Sequence, residues 1–139
     1  MSSITFSVPG KPQGKGRPRS SRDGHMYTPK ATREYEKLIA YYYRLQGGEM
    51  LEGYIELQIL VLYPLPKSMT KAERARAALG ELLPAKKPDG DNIEKAVADA
   101  LNGVAYEDDR QIVAASWLKK YAPDSEHAGL IITISEVEV

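Results

Sequence analysis

No cysteine occurs among the 139 residues, and histidine, tryptophan and phenylalanine are scarce, at two, one and one. The missing cysteines exclude disulfides, thiolate zinc sites, iron–sulfur clusters and a cysteine nucleophile. His25 and His127 lie far apart, with no partner at metal-ligand spacing, and read as surface residues. No Ser-His-Asp set stands out either. Long apolar runs are also lacking: the longest aliphatic stretch, Ile59 to Leu62, is far short of the ~18 residues that span a bilayer. No apolar signal segment comes after Met1. These absences predict a cytoplasmic protein of a reducing compartment, with no membrane association and no organic cofactor. The length fits one globular domain, residues 1–139, able to bury a core without cross-links.

An excess of charge of one sign is missing too, since 19 basic residues balance 19 acidic ones. The balance is the sum of two opposite segments. Residues 9–33 carry Lys11, Lys15, Arg17, Arg19, Arg22, Lys30 and Arg33 against Asp23 alone. Residues 88–110 carry Asp89, Asp91, Glu94, Asp99, Glu107, Asp108 and Asp109 against Lys95 and Arg110. A basic arm can meet a polyanion while an acidic cluster holds a cation.

Ile4, Phe6 and Val8 alternate with polar residues, the two-residue period of a strand. Residues 9–27 then form an extended basic arm, rich in Gly and Pro, that orders only on a partner or against the body. Thr28-Pro29 reads as an N-cap with proline at the first helical position, and Tyr35, Leu38, Ile39, Tyr42 and Leu45 recur at helical spacing up to Gly47-Gly48. Residues 54–63 read as an inner strand ended by Pro64 and Pro66. Thr70 and Glu73 have capping-box spacing for an Ala-rich helix stopping near Pro84. A third helix spans about residues 91–101, closed by Asn102-Gly103, and strand patterns occupy 112–121 and 130–137. The order β-α-β-α-α-β-β predicts an α+β fold, a mixed sheet of about four strands with helices packed on it and the last two strands paired as a hairpin.

The chemistry concentrates in Lys87-Pro88-Asp89-Gly90-Asp91-Asn92-Ile93-Glu94-Lys95 and in residues 99–112 beyond it. On the third helix Asp91, Lys95, Asp99 and Asn102 share an arc of about 80°, opposite Ile93, Ala96, Val97, Ala100 and Leu101. Asp89 stands just before that helix, and Asp108-Asp109 just before a strand. Carboxylates gathered at one point repel unless a cation lies between them, and Mg²⁺ takes carboxylate, water and phosphate oxygens. With Lys95 at hand to stabilise phosphate charge or orient water, these are parts for metal-assisted phosphodiester hydrolysis.

Plainer readings exist for each piece. Asp91 and Glu94 match a capping box, Asp89-Gly90 and Asp108-Asp109 match turns, and an exposed Lys95 is commonly just solvated. Ile93 stands where an EF-hand needs an oxygen ligand, so that site is excluded. Residues 10–16 miss the glycine spacing of a phosphate-binding P-loop. A Lys/Arg/Gly/Pro loop alone is commonly disordered, although Arg17 and Arg19 around Pro18 suit bidentate phosphate contact and Tyr27 suits stacking on a base. Tyr41-Tyr42-Tyr43 reads as helix packing.

Taken together, Lys87-Pro-Asp89-Gly-Asp91-Asn92-Ile-Glu-Lys95, Asp99-Ala-Leu-Asn102-Gly103 and Asp108-Asp109-Arg-Gln-Ile112 resemble the RusA family of Holliday junction resolvases, often carried by prophages. Pro9-Gly-Lys11-Pro-Gln-Gly-Lys15-Gly-Arg17-Pro18-Arg19 and Tyr27-Thr-Pro29 resemble the arm of its phage-type members. The resemblance implies a homodimer that binds four-way DNA junctions and cuts two opposed strands symmetrically with Mg²⁺, for which Mn²⁺ can substitute. It places the catalytic residues at Asp89, Asp91, Lys95 and Asp109 and the metal ligands at Asp89, Asp91 and Asp109, with Asp108 beside them; which of Asp108 and Asp109 ligates stays open. DNA contacts fall on Lys11, Lys15, Arg17, Arg19, Tyr27, Lys86 and Lys87, with Lys119 and Lys120 as further phosphate contacts. Two other classes compete: a junction-binding protein with an inactive nuclease site, and a phosphatase- or glycosyltransferase-like enzyme using Asp89-Gly90-Asp91. The latter lacks a nucleotide-binding fold and leaves the arm unexplained.

Overall fold

The computed structural model describes residues 2–139. Four strands form the main sheet: β1 (Ser3–Pro9), β4 (Ile55–Tyr63), β5 (Ile112–Tyr121) and β6 (Gly129–Glu136). A two-residue ribbon, β2 (Arg19–Ser20) with β3 (Met26–Tyr27), stands apart from it. Three helices complete the fold, α1 (Lys30–Leu45), α2 (Lys71–Ala78) and α3 (Gly90–Leu101).

The sheet order is β1-β6-β4-β5, with β6 antiparallel to both neighbours and β4 parallel to β5. The mixed α+β sheet expected from the sequence is therefore present, but the expected β5–β6 hairpin is not. Burial explains the difference. In β6, Leu130, Ile132 and Ile134 are buried, and they require a central position. In β5 most residues are exposed, including Val113 and Leu118, and an edge position accommodates them. Parallel β4 and β5 need a crossover, which α2 and α3 provide.

All three helices were legible, with shifts at their ends. Pro29, in an extended conformation, is the N-cap of α1, and no side chain caps that end, so Thr28 does not serve as predicted. The capping box of α2 forms as read, Thr70 Oγ1 accepting from the Glu73 N–H at 3.1 Å and Glu73 Oε1 from the Thr70 N–H at 2.9 Å. That helix stops at Leu79-Gly80, where Gly80 adopts φ +76°, earlier than the predicted Pro84. Its alanine face is mostly exposed, because α2 meets the sheet only near the end of β5.

One core joins α1, α3 and one face of the sheet. Phe6 and Val8, the odd-numbered β4 residues from Ile55 to Tyr63, and the inward residues of β6 meet Tyr35, Ile39 and Tyr43 of α1 and Ile93, Ala96, Val97 and Leu101 of α3. The strand period of two and the helical period of 3.6 thus converge on one apolar layer. The outer face of α3 leaves Asp91 and Lys95 to solvent.

Candidate active site

The N-terminus of α3 is clamped to the ends of β4 and β5. The buried Tyr63 hydroxyl donates to the Pro88 carbonyl, and Lys119 Nζ donates to the Lys86 carbonyl at 2.8 Å. The Lys119 ammonium also lies 5.3 Å from the Tyr63 ring centre, and that of Lys86 lies 5.6 Å from the Tyr121 ring centre. Gly90 packs so closely on Trp117 that a Cβ would collide with the indole. Its role is this close approach, not the turn read from the sequence, since it opens the helix without a positive φ.

Asp89 is the N-cap residue of α3, yet its side chain makes no capping hydrogen bond. Thr70 and Asp108 at comparable positions do cap their turns. The predicted Asp91–Glu94 box is likewise not the cap, because the helix begins one residue before Asp91. Asp89, Asp91 and Lys95 are not buried, and none of them forms an ion pair among the described residues. Burial, and then the charge of Asp89, push the Tyr63 phenol up to about 12. That effect places the carboxylate's field on the clamp.

The other acids stand at the opposite end of α3. Asn102, the C-cap residue, accepts at Oδ1 from the Asp109 N–H at 3.0 Å. Asp108 caps the turn Asp109–Gln111, its Oδ1 accepting from the Arg110 N–H at 3.0 Å, and Gln111 Oε1 accepts from the Asp108 N–H at 3.1 Å. Gln111 Nε2 fastens the same turn to the Gly53 carbonyl at 3.0 Å. The carboxylate of Asp108 is thus engaged locally, while that of Asp109 is exposed and forms no ion pair or hydrogen bond among the described residues.

Asp89 and Asp91 are brought together on one turn, and Asp108 and Asp109 on another. The two pairs are not brought to each other. Thirteen residues from Asp89 to Asn102, at 1.5 Å of rise each, separate the helix ends by roughly 20 Å. Among the described residues no group of three or more His, Asp or Glu is gathered tightly enough to hold a metal ion. The convergence of all four acids anticipated from the sequence does not occur within one chain.

The basic arm divides in two. Its first half is ordered against the body: the Gly10 N–H donates to the Ala128 carbonyl at 3.0 Å, Lys15 N–H to the Asn92 carbonyl at 3.0 Å and Gly16 N–H to Thr32 Oγ1 at 3.0 Å. Lys15 Nζ pairs with Glu36 at 2.8 Å and Asp99 at 2.9 Å, and its side chain is only 17% exposed. Burial, the largest influence, pulls its pKa down but is outweighed by these hydrogen bonds and charges, so the net shift is upward. Lys15 therefore joins the arm to α1 and α3 and is not offered to a ligand as the sequence reading supposed. Lys11, Arg17, Arg19, Lys86 and Lys87 have no acidic partners among the described residues, and all five are exposed. Tyr27 pairs with Arg19 across β2–β3 and remains 48% exposed. His25 and His127 face Asp23 and Asp124, away from the acids of α3.

Tyr63 and Trp117 carry no site role in the sequence reading, whereas Lys119, which that reading counts with Lys120 among the phosphate contacts, is turned to the Lys86 carbonyl. A polar-tipped aromatic ending an inner strand is the available signal for Tyr63, and nothing local marks Trp117.

The family model described as endodeoxyribonuclease RusA matches residues 9–135. A curated relative, the uncharacterized protein YqaN of Bacillus subtilis (strain 168), is 38% identical over 145 residues, covering 99% of each chain. No helix among the described residues is long and apolar enough to cross a membrane. RusA resolvases are generally dependent on divalent metal ions. With Asp89, Asp91, Lys95 and Asp109 displayed on open surface and the match running nearly end to end, this chain belongs to the RusA family of crossover junction endodeoxyribonucleases.

Proposed function

We propose that this protein resolves four-way DNA junctions as a homodimer, hydrolysing phosphodiesters with Mg²⁺ at Asp89, Asp91 and Asp109, with Lys95 beside them. Residues 1–139 act as one nuclease domain, and the arm of residues 9–27 contacts DNA through Lys11, Arg17, Arg19 and Tyr27. The observation that carries the reading is the state of the acids: Asp89 stands at a cap position without capping, and Asp91 and Lys95 are unpaired on the outer face of α3. Acids that only stabilised helices would be engaged in the caps.

The donor chemistry suits the metal. Carboxylate oxygens without nitrogen or sulfur select hard cations, Mg²⁺ with Mn²⁺ as a substitute. When bound, such an ion polarises the phosphoryl oxygen and activates water. Asp89 and Asp91 would hold it from one side. Asp109 would be the third donor, because its carboxylate is free and that of Asp108 is engaged. The Lys95 ammonium would bind the scissile phosphate and stabilise the charge that grows on it.

The roughly 20 Å between the helix ends, estimated from helical rise, makes the dimer part of the site. We assign Asp89 and Asp91 of one protomer and Asp109 of the partner subunit to one metal centre. Strand β5 supports the arrangement, as an open edge that runs from the Asp109 turn toward Trp117 under the start of α3. Two antiparallel copies of that edge would face the Asp109 end of one protomer with the Asp89 end of the other. Two such sites related by a two-fold axis match the two equivalent strands of a junction.

Purified protein on a labelled four-way junction tests the function. Paired, symmetric, Mg²⁺-dependent cuts that Asp91→Asn abolishes without loss of binding are expected. Tight binding without cuts would make this a junction-binding protein with an inactive site, the reading that the arm alone supports.

A further inference from the structure

The exposed face of α1 carries a second concentration of positive charge. Lys30, Arg33, Lys37 and Arg44 fall within an arc of about 60°, and the exposed Tyr41 lies at its border. From Lys30 to Arg44 the stripe is roughly 21 Å long. Only Lys30 has an acidic partner among the described residues, Glu34 at 3.8 Å. Arg33, Lys37 and Arg44 form no ion pair among them.

Two acids lie close enough to have compensated the stripe. Glu36 and Asp99 line the same groove between α1 and α3 as Arg33, Lys37 and Arg44. Both are turned to Lys15, at 2.8 and 2.9 Å. Lys15 thus engages both acids and offsets one of their two charges, so the cations Arg33, Lys37 and Arg44 outnumber what is left. Arg33 and Lys37 are four residues apart, where like charges on a helix repel, so the stripe opposes the stability of the free helix. The chain as a whole has as many acids as bases, so this imbalance is local.

The stripe also continues the arm. The Gly16 N–H bond to Thr32 seats the arm on the first turn of α1, so Arg17 leaves it beside the Lys30–Arg33 end. The resulting track is matched in length by about six base pairs at 3.4 Å of rise.

We infer that Arg33, Lys37 and Arg44 form a second DNA-backbone contact surface, holding phosphates of a duplex arm in addition to those met by the arm of residues 9–27. The inference rests on the reading of the protein as a DNA junction enzyme and adds to it a surface that reads charge and shape without base contacts.

The test measures binding of wild type, Arg33→Gln/Lys37→Gln/Arg44→Gln and Arg44→Gln to a labelled four-way junction in EDTA across a KCl series. Each lost phosphate contact lowers the slope of log affinity against log salt by about 0.9. The triple variant should lose close to three from the slope and more than about tenfold in affinity at about 0.1 M salt, and Arg44→Gln close to one. Arg33→Lys/Arg44→Lys should keep the wild-type slope. The single variant decides the matter should the triple variant fold poorly. Wild-type slopes in folded Gln variants, with wild type binding and cutting junctions, would overturn the inference and leave the proposed function standing. Wild type that binds no DNA would overturn both.

Discussion

Asn102 Oδ1 accepts a hydrogen bond from the backbone N–H of Asp109 at 3.0 Å, tying the C-terminus of the catalytic-face helix to the turn that carries the last acid. The bond fixes where Asp109 stands without engaging its carboxylate. Outer partners of this kind orient ligands and typically matter tenfold to a hundredfold in metal affinity or activity. Asn102→Ala is therefore expected to lower the cutting rate by about 10–100-fold while junction binding in EDTA is kept. Single-turnover cleavage set beside a band shift checks it; equal loss of binding would show that Asn102 does not act through Asp109.

At the other end of α3, Tyr63→Phe removes the hydroxyl that the Pro88 carbonyl accepts from. Loss of one such bond at a buried site costs about 1–3 kcal/mol. A lower denaturant midpoint and slower cutting should appear together, because the same bond holds the backbone leading into Asp89. Full activity in a destabilised protein would separate the clamp from the site.

The Tyr63 phenol, pushed up to about 12 by burial and then by the charge of Asp89, makes a pH prediction. The folded state holds this proton above the ordinary value of 10.0, where the unfolded chain has released it. Its contribution to stability is fully present below the ordinary value and is lost as pH rises from there to about 12. Tyr63→Phe should lack that part of the alkaline decline, and Asp89→Asn should lower the Tyr63 pKa. An unchanged Tyr63 titration in Asp89→Asn would place the carboxylate too far from the clamp.

Lys15 and Arg17 should behave differently although the sequence presents them alike. Lys15→Met breaks two partly exposed ion pairs and leaves Glu36 and Asp99 uncompensated, which after solvent screening costs on the order of 1–2 kcal/mol. The salt slope of DNA binding should scarcely change, whereas Arg17→Gln should lower it by about 0.9 with little effect on stability. Thermal melts and a salt titration of the two variants check both halves. The reverse pattern would return Lys15 to the DNA surface.

Local pattern made the helices, the inner strand β4 and the polar face of α3 legible, because periods of two and 3.6 report burial directly. The partner of β5 was not legible. Strand pairing depends on which segment buries more across the whole sheet, and Leu130, Ile132 and Ile134 took the central place that sequence adjacency would have given to a hairpin. The acids were legible as residues but not as a centre, since the length of α3 separates Asp89 from Asp109 while their spacing in sequence suggested convergence. Lys15 shows the same limit at one side chain. Its Glu36 and Asp99 partners come from two helices far along the chain, and no window around residue 15 contains them.

The division of the acids between two protomers is tested most directly by a mixed dimer. Asp91→Asn and Asp109→Asn chains, coexpressed with different affinity tags and purified as the heterodimer, are set beside each mutant homodimer on a labelled junction with Mg²⁺. In a shared site the heterodimer keeps one intact centre of two, so it should nick one strand at about half the wild-type rate and make no paired cuts, while both homodimers are inactive. A heterodimer as inactive as its parents would contradict the shared site and confine each metal centre to a single chain.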